Sequence, residues 1–80
     1  MNAQTVAERF ADARRGSGSN IMSTGDRVYS YEMLIAKRTP KGAVQVISVK
    51  QSPTRTTSRH INCVLGAVPD AIVVDTLVHD

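Results

Sequence analysis

The sequence predicts a small α+β domain: an N-terminal helix, an antiparallel sheet of three to four strands, a second helix packed on the sheet and a C-terminal strand. Three observations carry this reading. Apolar residues recur at helical intervals near both ends, as Ala3, Val6, Phe10 and Ala13 and again as Ile61, Val64, Leu65 and Val68. The stretches between are rich in β-branched and aromatic residues and are cut by Gly and Pro turns. The composition, 41% apolar and 21% charged over 80 residues, is too apolar for disorder and sized for one domain, 1–80. A chain this short buries only about 60 to 65% of its unfolded surface, so its core is thin. Docking on a partner, or a homo-oligomer, would add stability.

Taken in order, the first helix is expected over 1–15. Thr5 with Glu8 fits a capping box, with Asn2 as a rival cap one turn earlier. Arg14 and Arg15 suit the negative end of the helix dipole, and Gly16 supplies the stop. Gly16-Ser17-Gly18-Ser19 reads as a flexible joint, leaving 20–80 for the sheet and second helix. Asn20–Ser23 is a short strand candidate, followed by a turn at Thr24-Gly25-Asp26. Arg27–Tyr31 and Met33–Arg38 read as extended, and Pro40-Lys41-Gly42 pairs Met33–Thr39 with Ala43–Lys50 as a hairpin. Ser52-Pro53 ends that strand. Thr56–Ala67 is the second helix, capped by Thr56 or Thr57 and stopping near Gly66. Ala71–Val78 follows the Pro69-Asp70 turn as an inner strand.

Catalysis has little to work with. A nucleophilic site needs a nucleophile, a base within reach and a group to orient the base. Cys63, His60 and His79 are the only Cys and His residues. On a helix, His60 and Cys63 are surface neighbours, but a lone helical Cys beside an apolar stripe is ordinarily a small buried hydrophobe. No Cys-x-x-Cys or His-x-x-x-His spacing is present, and Asp70, Asp75 and Asp80 alternate strand faces, so no metal or cofactor site is expected. The glycines follow a helix, the wrong context for a phosphate loop. The protein therefore reads as a binder, not an enzyme.

Charge points to the partner's chemistry. The first 59 residues hold all ten Lys and Arg against Glu8, Asp12, Asp26 and Glu32, whereas the remainder holds only Asp70, Asp75 and Asp80. A basic body favours acidic or polyanionic partners. Arg55-Thr56-Thr57-Ser58-Arg59-His60 is the first candidate contact, since a helix N-terminus flanked by two arginines suits an anion. Lys37, Arg38 and Lys41 form a second, at the tip of the expected hairpin. Tyr29, Tyr31 and Arg27 are expected on one strand face, where aromatics beside cations can stack bases.

Tyr29-Ser30-Tyr31, Ile35-Ala36 and Thr56-Thr57-Ser58-Arg59-His60 together resemble a set of short bacteriophage and prophage proteins with a Ser-Tyr-Gly, Ile-Ala and Thr-Thr-Ser-Arg/Lys-His pattern. Glu32 stands where that pattern has Gly, and Ile61-Asn62 where Gln is common. The resemblance implies a small phage accessory protein in a bacterial host cytoplasm. It implies a partner that is a host protein or nucleoprotein complex, with an anti-defence, anti-CRISPR-like inhibitor as the sharpest version. The alternative is a small basic nucleic-acid-binding protein using the basic body and Arg55–His60. A single cysteine and the lack of a leader or a membrane-length apolar run agree with a cytoplasmic place and no membrane.

Overall fold

The computed structural model describes residues 1–77. Helix α1 (Ala3–Ala11) leads into strands β1 (Arg15–Gly18), β2 (Ile21–Thr24), β3 (Arg27–Ser30), β4 (Met33–Arg38) and β5 (Val44–Ile47). A 3-10 turn at Val49–Gln51 and helix α2 (Arg55–Ala67) then cross over to β6 (Ile72–Val74). The strands form one sheet in the order β1-β2-β3-β4-β5-β6. The first five run as an antiparallel meander, and β6 joins parallel to β5. That parallel step is what the α2 crossover makes possible, because a tight hairpin joins only antiparallel neighbours.

Both helices lie on one face of the sheet. Val6, Ala7 and Phe10 of α1 and Ile61 and Val64 of α2 close over Ile21, Val28, Ala36, Val44 and Val46, all buried in one cluster. The alternation of buried and exposed positions in β2 and β3 follows from that one-sided cover. A bulge between β3 and β4 breaks the alternation in β4, where Leu34, Ile35 and Ala36 are consecutively buried.

The expected α+β class holds, with more strands than three to four and a mixed sheet in place of an antiparallel one. The Gly16–Ser19 segment, expected as a joint, forms β1 and the turn after it. Glycine is needed there because a Cβ on Gly18 would come within 2.5 Å of the Met1 carbonyl oxygen. The N-terminus thus lies directly on β1, and the Met1 ammonium and the Arg9 guanidinium reach the Ser17 and Arg15 carbonyls.

Helix α1 stops at Ala11, not near Arg15. The Ala13 and Arg14 amides return to the Phe10 and Arg9 carbonyls in a Schellman closure. Ala13, at φ 57°, takes the left-handed position that glycine usually fills, so the expected stop at Gly16 falls three residues late. Asn2 caps the helix through the Thr5 amide at 2.8 Å, so the rival cap prevails over the Thr5 capping box. Tyr31 sits in the β3–β4 turn at φ 56° and not in the strand with Tyr29. The last strand is shorter than expected and is an edge, with Val73 53% exposed; Val78 lies outside the described residues.

Candidate interaction surface on helix α2

Thr54, not Thr56 or Thr57, caps α2. Its side chain accepts the Thr57 amide at 3.1 Å, and its carbonyl accepts the Ser58 amide at 3.1 Å. Pro53 fits this start, since the residue before the cap lies outside the helix and needs no amide donor. Starting the helix at Arg55 fixes the rotation of every residue after it. Thr57, His60, Ile61 and Val64 turn into the core, and Arg55, Thr56, Arg59 and Asn62 turn to solvent.

The inward set makes a chain of hydroxyls ending on an imidazole. Thr54 Oγ1 donates to Thr57 Oγ1 at 3.1 Å. Thr57 Oγ1 lies 3.0 Å from Ser30 Oγ, and Ser30 Oγ lies 2.7 Å from His60 Nδ1. With the Thr57 hydroxyl donating to Ser30 and the Ser30 hydroxyl to His60, each hydroxyl donates once and the imidazole stays neutral. Burial, and secondarily the Arg59 charge, hold the His60 pKa below its ordinary value, which favours that neutral form. Among the described residues no buried side-chain nitrogen or oxygen lacks a partner.

A serine hydroxyl 2.7 Å from an imidazole nitrogen has the spacing of a nucleophile and its base. Here the pair lies in the core. Ser30 is 0% and His60 4% exposed, so the hydroxyl and the imidazole are both closed off from solvent in this structure. The pair fastens β3 to α2.

The outward set has the opposite character. Arg55, Ser58, Arg59, Asn62 and Cys63 line an open groove with Gln4 of α1. The first turn of α2 contains no acidic residue. Two arginines in the first five residues of a helix sit at the positive end of its dipole, where a cation is unfavourable by roughly 0.3–1 kcal/mol at an exposed site. Their placement is therefore not explained by the helix's own stability. Cys63 is half-buried and packs against the core, in keeping with its expected role as a small hydrophobe.

Of the residues expected to form one anion or partner site, the structure brings Arg55, Ser58 and Arg59 together, leaves Thr56 exposed beside them, and withdraws Thr57 and His60 into the core. The second expected cluster divides as well. Lys41 is exposed in the β4–β5 turn and Lys37 half-buried in β4. Arg38 instead turns to α1, donating to the Gly25 carbonyl and, at 2.7 Å, to the Phe10 carbonyl, with its guanidinium 4.7 Å from the Phe10 ring centroid. It anchors the end of α1 to the sheet. Sequence reasoning missed Gln4 and Asn62. The spacing of Asn62 from Arg55 and Arg59, seven and three residues along a helix, was the signal that places it on their face.

Residues 2–74 match a family of unknown function, DUF8033. The chain belongs to that family. No curated protein and no solved structure matches it. Among the described residues no helix is long and apolar enough to cross a membrane, and no three His, Cys, Asp or Glu residues gather as metal ligands.

Proposed function

We propose that this DUF8033 protein is a non-catalytic binder of the phage accessory type, which docks on a host macromolecular machine and inhibits it, with an anti-defence, anti-CRISPR-like role as the sharpest version. The observation that supports this reading is the division of α2. Ser30 and His60 are taken up by the core, and Gln4, Arg55, Ser58, Arg59 and Asn62 are left lining a surface groove beside the half-buried Cys63. Arg55 and Arg59 offer charged, fork-shaped donors, and Gln4, Ser58 and Asn62 offer neutral donors and acceptors between them. This lining has two cations and no aromatic ring. It suits the carboxylates and backbone groups of an acidic protein surface better than the bases of a nucleic acid.

The test is capture from nuclease-treated bacterial extract at moderate salt, comparing the tagged protein with its Arg55→Glu/Arg59→Glu variant. The reading expects one stoichiometric protein complex on the wild type, lost on the variant, whose activity falls when the pure protein is added. Recovery of nucleic acid alone, shed as salt rises, would sink it in favour of direct polyanion binding at this surface.

A further inference from the structure

The two edges of the sheet are unlike. At β1 the Ser17 and Arg15 carbonyls already accept from the Met1 ammonium and the Arg9 guanidinium, both at 3.3 Å. At β6 the outer side is bare. The Ser48 amide donates to the Val74 carbonyl at 2.8 Å, so the backbone groups of Val74 face β5 and those of Val73 face outward. By the same alternation the Ala71 carbonyl and the Asp75 amide face outward too. Among the described residues nothing bonds to that outer side. The side chains along it are apolar and open: Ile72 is 52% and Val73 53% exposed, and Val49, the residue after Ser48, is 42% exposed.

An unpaired edge is a template for another strand, and the sequence of β6 matches its own copy. In an antiparallel pair centred on Val73, Val73 lies opposite Val73 of the second copy, and Ile72 lies opposite Val74 of the second copy. Apolar residues thus meet apolar ones. Ala71 faces Asp75 and Asp70 faces Thr76, so no two carboxylates are set against each other. The outward amides and carbonyls of the two Val73 residues bond reciprocally, and each Asp75 amide meets the other copy's Ala71 carbonyl. Sliding the pair one step loses this match. In one direction Val73 meets Ala71, whose amide is already given to the Val68 carbonyl. In the other it meets the Asp75 carboxylate's strand position. Charge agrees, because β6 belongs to the part of the chain, from His60 on, that holds no Lys or Arg. Pairing there sets no cation of one copy against a cation of the other.

We infer that the chain forms a two-fold dimer through β6, with one sheet running continuously across both copies. Val73 pairs with Val46, a core residue, so it points to the helical side, and the helices of both copies lie on that side. The assembly closes at two, because the covered β1 edge offers no strand site to a third copy. A strand of three residues buries far less than the roughly 1,200–2,000 Å² of a stable interface, so the dimer is weak and reversible. The pairing uses none of the residues that line the α2 groove, and it stands or falls independently of the function proposed for that groove.

The test is sedimentation velocity of the full chain across the micromolar to millimolar range. The dimer should gain on the monomer as concentration rises, with no larger species, and should not weaken as salt rises, since no ion pair holds it. Val73→Lys sets two ammonium groups opposite each other at the two-fold and should raise the dissociation constant about tenfold or more. Val73→Pro removes an outward amide that β5 does not use, and should weaken the dimer while leaving the β5–β6 ladder intact. Met22→Lys, the same kind of change at a 44% exposed residue of β2, should leave the dimer as it was. Circular dichroism confirms that each variant is folded. In a mixture of labelled and unlabelled chains, isotope-filtered NMR should connect the Ile72 methyls of one copy to the Val74 methyls of the other. A chain that stays monomeric at millimolar concentration would overturn the inference. So would a dimer that survives Val73→Lys in a folded variant, one that Met22→Lys disrupts, or growth beyond two copies.

Discussion

Two faces of the same helical turns of α2 do different things. Thr57 and His60, looking inward, are held by Thr54 and Ser30 in a chain of short hydrogen bonds. Arg55 and Arg59, looking outward, line an open groove with Gln4, Ser58 and Asn62. In sequence these residues are interleaved and all polar, and they read as one site. The difference teaches that hydroxyls and an imidazole next to arginines are not evidence of a joint function. The rotation of the helix, set by its cap, assigns each residue to folding or to contact.

The largest expected effect comes from neighbouring positions on the two faces. Ile61→Ala empties a fully buried site and should cost about 2–5 kcal/mol in urea unfolding, whereas the exposed Asn62→Ala should change it by less than about 0.5 kcal/mol. Comparable losses at both positions would mean that the two faces are not distinct. Ser30→Ala comes next. It leaves Thr57 and His60 facing a methyl group and should cost about 1–3 kcal/mol, with Thr57→Val added to it costing less than the sum of the two.

The third effect is one of pH. The His60 pKa lies below its ordinary value in the folded chain, so between that lowered value and about 6.5 the unfolded chain binds the proton and the folded chain does not. The contribution of His60 to stability is therefore complete above about pH 6.5 and is lost as the pH falls through the window below it. Urea midpoints should decline over that interval, and His60→Gln should remove that part of the decline. The smallest effect links the faces. Arg59→Gln removes the lesser cause of the His60 shift, so the imidazole NMR titration should move up while remaining below the ordinary value, because burial persists.

Much of the fold was legible in local pattern. Val6 and Phe10, and Ile61 and Val64, marked the buried sides of both helices, and Pro40-Lys41-Gly42 marked the turn between β4 and β5. What escaped depended on contacts far away in sequence. Gly16 and Gly18 look flexible by composition, and only the packing of Met1 and Arg9 shows why side chains are missing there. Ala13 and Tyr31 adopt left-handed backbone without the glycine that normally announces it. The candidate site was half legible. Arg55, Ser58 and Arg59 were named together, but the fate of Thr57 and His60 was decided by Ser30, 30 residues from His60. Arg38 looked like part of a basic hairpin tip because its acceptors, the Phe10 and Gly25 carbonyls, are backbone groups that no side-chain pattern advertises.

The most direct test of the divided helix is partner capture measured beside thermal melting for two variants. Arg55→Glu/Arg59→Glu should melt at or above the wild-type temperature, since the N-terminal end of α2 favours acidic residues, and lose the partner. Ser30→Ala should melt lower and, at a temperature where it remains folded, keep the partner. A folded Ser30→Ala protein that loses the partner, or an Arg55→Glu/Arg59→Glu protein that retains it, would contradict the account.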